Sequence, residues 1–223
     1  MNTRPRRTIT YYLLLAAGIL WNGWILGLLV YPHNASLHME ISELSIPAQP
    51  WSWLFRVLDG SSALGMIGAA AGLLAQYKQA ARRWLAIAAA LLLTMGLLTL
   101  FDITHSLDCV QYQHPACVAV IDQHLTSAND NAHNAESNIT SYASIAFALC
   151  ILALAIRFKQ CRSLVAVAIA LTIGVVWSLA VLGETHDLFV YAVNDRLWNL
   201  WVSGDLLLLA TMLRQPQPTK NAG

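Results

Sequence analysis

Charge is what this chain has least of. Lys, Arg, Asp and Glu make up 11% of its 223 residues, under half of the roughly 25% usual in a soluble domain, so a charged, solvated globular surface is excluded. A net charge of +1 leaves no excess of either sign, which removes nucleic-acid binding and a basic membrane-surface protein from consideration. Low-complexity tracts and a solenoid period are missing as well. The chain therefore reads as one domain over 1–213 with a short cytoplasmic tail at 214–223 that is too polar to pack.

What is present in their place is apolar sequence, 57% of the residues. Six runs are long enough to cross a hydrocarbon core, which takes about 20 helical residues: Tyr11–Val30, Trp53–Ala75, Leu85–Phe101, Ile139–Ile156, Leu164–Leu182 and Leu197–Leu213. Basic residues fall in every second connection: Arg4, Arg6 and Arg7, then Lys78, Arg82 and Arg83, then Arg157, Lys159 and Arg162, then Arg214 and Lys220. The other connections are acidic, with Arg196 their one basic residue. This alternation predicts an all-α membrane protein, a six-transmembrane-helix bundle with N- and C-termini cytoplasmic. Trp51, Trp53, Tyr142 and Trp198 form an outer aromatic belt, and Tyr11, Tyr12, Tyr77 and Trp84 an inner one. The first run follows a basic start but exceeds a typical signal h-region and lacks a small-residue cleavage site, so it reads as an uncleaved signal anchor. The bilayer is the expected surrounding, and the plasma membrane the expected location.

Two outer connections are long, Tyr31 to Pro50 and Asp102 to Asn138, and loops of that length usually carry function or are disordered. Tyr31-Pro32-His33 followed by Ile41-Ser42-Glu43-Leu44 resembles the integral membrane family called domain of unknown function nine-nine-eight. That resemblance implies six spans, with Ser42-Glu43-Leu44 in the first outer loop, an Asp at the outer end of the third span (Asp102) and a His before the fourth (His133). The chain has Phe101 where many relatives have proline. The family name assigns no activity, so the chemistry rests on the residues.

Asp102 and His105 end the third run, His133, Glu136 and Ser137 share one face entering the fourth, and Glu184, His186 and Asp187 close the fifth. Polar groups against hydrocarbon are costly unless they face a bundle interior or a watery cavity, so one outer pocket is the default expectation. The sharpest reading is a Zn2+ site of His105, His133 and His186, with water in the fourth position. Asp102, Glu136 or Glu43 would serve as base and Ser137 or Ser106 as oxyanion donor, giving hydrolysis of a lipid or outer-leaflet substrate. Leu44 would anchor the first loop over the pocket. The arrangement is loosely similar to the alkaline ceramidase and adiponectin-receptor hydrolases, but those have seven spans and an H-x-x-x-H on the last helix that is absent here.

Other readings stay open. The histidines and carboxylates are also what ordinary solvated loops contain. Asp59, Asp102 and Asp205 would suit a proton or cation path, against which stand the lack of internal repeats and of any polar residue route through the inner half. A sensor or assembly factor would use the outer loops, and Gly68-Ala69-Ala70-Ala71-Gly72 would then be either a dimer contact or, more simply, intramolecular packing. Arg56 and Asp59 are spaced as an intrahelical pair. Asp205 has no local partner and would need Asn22 or a water. Leu20-Trp21-Asn22-Gly23-Trp24 and Leu197-Trp198-Asn199-Leu200-Trp201 echo each other, at depths that make coincidence the simpler reading. Cys109 and Cys117 share the second outer loop, where an oxidising exterior and the turn at Pro115 favour a disulfide. Free thiols, or a thiolate ligand beside His105, are the alternatives.

Overall fold

A computed structural model describes residues 4–31, 37–75, 82–105, 107, 127–157, 162–184 and 188–214. Seven α-helices occur among them: α1 (Arg4–Leu20), α2 (Gly27–Val30), α3 (Ser52–Ala75), α4 (Arg82–Asp102), α5 (Ala128–Arg157), α6 (Arg162–Glu184) and α7 (Leu188–Arg214). The long helices alternate in direction and form a ring in chain order. α1 lies against α3, α3 against α4, α4 against α5, α5 against α6 and α6 against α7, and α7 returns to α1 while also touching α5.

Four of these helices are long and apolar enough to cross a membrane, and α1 with the segment to Val30 makes a fifth if that bent pair is one span. The last helix is 27 residues long but carries Asp195, Arg196 and Asp205 within an otherwise apolar stretch. The first apolar run is not one continuous helix. Residues 8–20 and 23–30 meet at 41°, because Asn22 sits at the break. Its Nδ2 donates to the Gly18 carbonyl at 3.1 Å and to Ser203 Oγ at 2.6 Å, and its Oδ1 accepts from Trp24 Nε1 at 3.1 Å. A side-chain amide that competes for helix carbonyls bends a helix in this way.

Lipid tails are as apolar as leucine, so close fit and not transfer from water holds such helices together. The fit here comes from small residues. A Cβ at Gly65 would lie 3.1 Å from Ala17 Cβ, one at Gly68 3.0 Å from Leu13, and one at Gly72 2.1 Å from Thr10 Oγ1. The glycine stripe of α3 is thus the seam with α1. On the opposite side of α3, Gly96 of α4 approaches the Ala63 carbonyl, which a Cβ would meet at 2.9 Å. All six long helices then contribute to one interior, where Leu14, Met66, Leu92, Phe147, Val175 and Leu206 are fully buried.

A second, smaller cluster covers one end of the bundle. Met39, Leu44 and Ile46 from the loop pack with Tyr31, Phe55 and Leu107, and Tyr31 stacks on Phe55 at 6.3 Å between ring centroids. Leu44 is wholly buried there, so the loop is folded across the bundle end and pinned by its apolar residues. α5 begins at the same end, eleven residues ahead of the apolar run at Ile139. A reciprocal cap starts it: Asp130 N–H donates to Ser127 Oγ at 3.0 Å, and Ser127 N–H to the Asp130 carboxylate at 3.4 Å, the capping-box arrangement. That early start makes His133 and Glu136 helical and rigid.

Candidate functional site

The loop-covered end contains a cavity of about 160 Å³. Its walls carry five carboxylates, Glu40, Asp59, Asp102, Glu136 and Asp195, one from the loop and the others from α3, α4, α5 and α7. His133 lies among them. Among the described residues, no lysine or arginine is part of the lining.

At the α4–α5 wall, Asp102, His133 and Glu136 come together. His133 Nδ1 is hydrogen-bonded to Asp102 Oδ1, and one ligand atom from each of the three lies within 4.8 Å of the others. His133 and Glu136 are buried. Two hydroxyls set the Glu136 carboxylate: Thr140 Oγ1 donates to Oε1 at 2.7 Å, and Ser137 also hydrogen-bonds it. The spacing explains the geometry. His133, Glu136, Ser137 and Thr140 are three or four apart on one helix face, and Asp102 is the last residue of α4, where the helix opens toward that face.

The loop forms the opposing wall and is tied down by α7. Ile41 N–H donates to Asp195 Oδ2 at 2.9 Å, and Arg196 Nη1 donates to the Met39 carbonyl at 2.9 Å and the Ala192 carbonyl at 2.6 Å. Within the loop, the Glu43 carboxylate accepts from Glu40 N–H at 3.0 Å, and Arg56 Nε donates to the Ser45 carbonyl at 2.8 Å. Burial pushes the Glu40 carboxyl up to about 8, with Asp195 and Glu43 adding to the rise and His133 and Ser42 opposing it. A neighbourhood of like charges with little water makes the anion costly.

Asp102, His133, Glu136 and Ser137 share the cavity wall. Of the three histidines expected as ligands, His133 is in the group. His105 is stacked on Phe101 at 3.9 Å between centroids, with Nδ1 3.1 Å from the Phe101 carbonyl and 2.9 Å from Thr104 Oγ1, and is not among the lining residues. His186, Ser106, Cys109 and Cys117 lie outside the described residues. Glu43 is buried in the loop and supports it, while its neighbours Glu40, Ile41 and Ser42 reach the cavity. Arg56 and Asp59 part company: the arginine binds the loop, and Asp59 faces the cavity with Asp102 as its electrostatic neighbour. Asn22 bonds to Ser203 and not to Asp205, whose two oxygens are buried without a partner.

Two features escaped the sequence reading. Glu40 and Asp195 join the site only because the loop folds onto α7, a contact 154 residues apart in sequence. The signal for it was Arg196, the one basic residue in the acidic connections. The echo between Trp21 and Trp198 also has a structural counterpart: the rings meet edge to face at 6.5 Å, and both line the cavity.

Fold and site together define a multi-pass helical protein suited to a membrane, with a carboxylate-lined, loop-covered pocket at one end of the bundle. The chain belongs to the family described as Protein of unknown function (DUF998), whose model matches residues 14–211. No curated protein and no solved structure matches it.

Proposed function

We propose that the pocket is a divalent-metal site on the outer face of a six-span bundle, and that the protein is a hydrolase acting on an ester or amide of a lipid or outer-leaflet substrate. The orientation follows from the basic residues in every second connection, which put the loop-covered end outside. Six spans follow if α7 crosses with its charged residues turned to the pocket and interior, as intramembrane ionisable groups do.

The observation that carries the reading is the Asp102, His133 and Glu136 group on the cavity wall. One imidazole and two carboxylates suit Zn2+, and with oxygen in the majority Mn2+ as well. Ligands about 2.1 Å from one ion lie roughly 3.4 Å apart in a tetrahedral arrangement, a modest adjustment of the group described above. When bound, the ion supplies Lewis acidity and acidifies water at that point. The residues around it have separable tasks. Thr140 fixes the Glu136 carboxylate. Ser137, whose hydroxyl bonds Glu136 at rest, would donate to an oxyanion on turning from that carboxylate. Asp59, which lines the same cavity and is near enough to Asp102 to feel its charge, would serve as a base. The loop excludes bulk water, which strengthens each of these interactions.

The expected result with purified protein and a panel of fluorogenic acyl esters and amides is turnover that stops on adding 1,10-phenanthroline and returns with Zn2+ or Mn2+. Glu136→Gln should lower turnover by about 10- to 100-fold, the range for losing a group that holds or orients a metal. Turnover indifferent to chelation, or none from fully metallated protein, would remove the hydrolase.

A further inference from the structure

We infer that the pocket takes an amine: its substrate is an amphiphile whose ammonium group lies against Glu40 and Asp195 and whose neutral oxygen meets Trp21. This rests on the reading above only in treating the pocket as a substrate site, and its observations are separate from those of the metal group.

Charge balance is the starting point. One divalent ion held by Asp102, His133 and Glu136 offsets the two carboxylates of that wall. Glu40, Asp59 and Asp195 remain in the same cavity of about 160 Å³. A carboxylate in a pocket with little water is expensive unless it is neutralised or paired, and among the described residues no lysine or arginine lines this cavity. The cationic neighbours of Glu40 and Asp195 are His133, on the metal wall, and Arg196, outside the lining. Arg196 offsets part of the Asp195 charge from outside the cavity lining. Its Nη1 binds the Met39 and Ala192 carbonyls, its guanidinium lies over the Trp24 ring at 5.5 Å, and it is not part of the lining.

The rest of that wall has the chemistry of an ammonium site. Trp21, Trp198 and Tyr191 line the cavity beside Glu40 and Asp195, and aromatic faces attract ammonium groups strongly where water is excluded. The Trp21 ring is 8% exposed, and its Nε1 is buried with no hydrogen-bond partner. An indole N–H in that position asks for an acceptor. Lining carboxylates would have satisfied it, yet none does, so the acceptor is supplied by the ligand as a hydroxyl or carbonyl oxygen close to the amine. Phe101, Ile139 and Tyr142 are exposed on the outside of α4 and α5, within a turn of pocket residues Asp102, Thr140 and Ser141. An apolar tail leaving the pocket would run along them into lipid.

The test uses the full chain in uncharged maltoside micelles, with N-hexylethanolamine as probe and hexyl acetate and hexanoate as neutral and anionic counterparts, followed by titration calorimetry. The amine should bind at least about tenfold more tightly than either counterpart. Glu40→Gln should weaken it by about tenfold while metal content stays unchanged. Trp21→Phe should remove the preference for N-hexylethanolamine over hexylamine, which lacks the oxygen. Asp195→Asn repeats the test at the other carboxylate, and Glu40→Gln covers the case in which that variant fails to fold, since Asp195 also holds Ile41. Equal binding of the amine and hexyl acetate, or full amine affinity in Glu40→Gln, would overturn the inference. So would a second metal ion that displaces the amine. Amine binding by a protein that holds no metal would leave this inference standing and sink the metal reading alone.

Discussion

Replacing Arg196 with leucine is expected to cost about 3–5 kcal/mol of stability, the usual result of breaking a buried charge arrangement from one side. Arg196 is 4% exposed. It holds the loop through the Met39 carbonyl and its own helix through the Ala192 carbonyl, and it offsets the negative charge of Asp195 and Glu43. Leucine fills the space but leaves both carboxylates uncompensated and the Met39 carbonyl without this donor. Against a total stability of about 5–15 kcal/mol, the loss should appear as a large drop in Tm, with faster proteolysis between residues 37 and 51 as the loop detaches. Arg196→Lys should fall between the two, because the charge is kept while the planar fork is lost. A Tm unchanged in the leucine variant would mean that the loop does not depend on this residue.

Stability is expected to fall as pH rises from about 5 to 8, and Glu40 is the cause. The unfolded chain releases the Glu40 proton near its ordinary value of about 4.3, whereas the folded protein keeps it until about 8. Between those values the native state holds more protons than the unfolded state, so the stability it gains from Glu40 is complete at low pH and lost progressively toward pH 8, levelling off above. The slope is at most about 1.4 kcal/mol per pH unit and less to the extent that water reaches the carboxyl. The groups facing Glu40 are Asp195 and Tyr191 on α7, Glu43 and Ser42 in the loop, and His133 on α5, so a substitution is needed to isolate it. Tm measured at pH 5, 6.5, 8 and 9 for the wild type minus that for Glu40→Gln should decline across the window. A difference that rises with pH would contradict the environment described for Glu40.

The helices were legible because bilayer-length apolar runs leave few other structures open to the backbone. Where the sequence fell short, a polar residue was responsible. Asn22 lies in the middle of an apolar run, and its bond to Ser203 bends α1. The polar stretch ahead of Ile139 hides the first turns of α5, although Ser127 and Asp130 had the spacing of a cap. Candidate site residues showed a similar division. Asp102, His133 and Glu136 were visible because each sits at a predictable depth and two share a helix face. Glu40 and Asp195 were not, since depth says nothing about which helix end faces which loop. His105, one turn beyond Asp102, shows the converse: proximity in sequence did not aim its ring, which settled on Phe101.

On the proposed function, Asp102, His133 and Glu136 hold a divalent ion. The most direct test is the metal content of the purified chain after equilibrium dialysis against Zn2+ or Mn2+, read by elemental mass spectrometry. About one ion per chain is expected, falling sharply in His133→Ala, Asp102→Asn and Glu136→Gln and unchanged in His105→Ala. Metal-free wild-type protein, or loss of metal on replacing His105 with retention on replacing His133, would contradict the account.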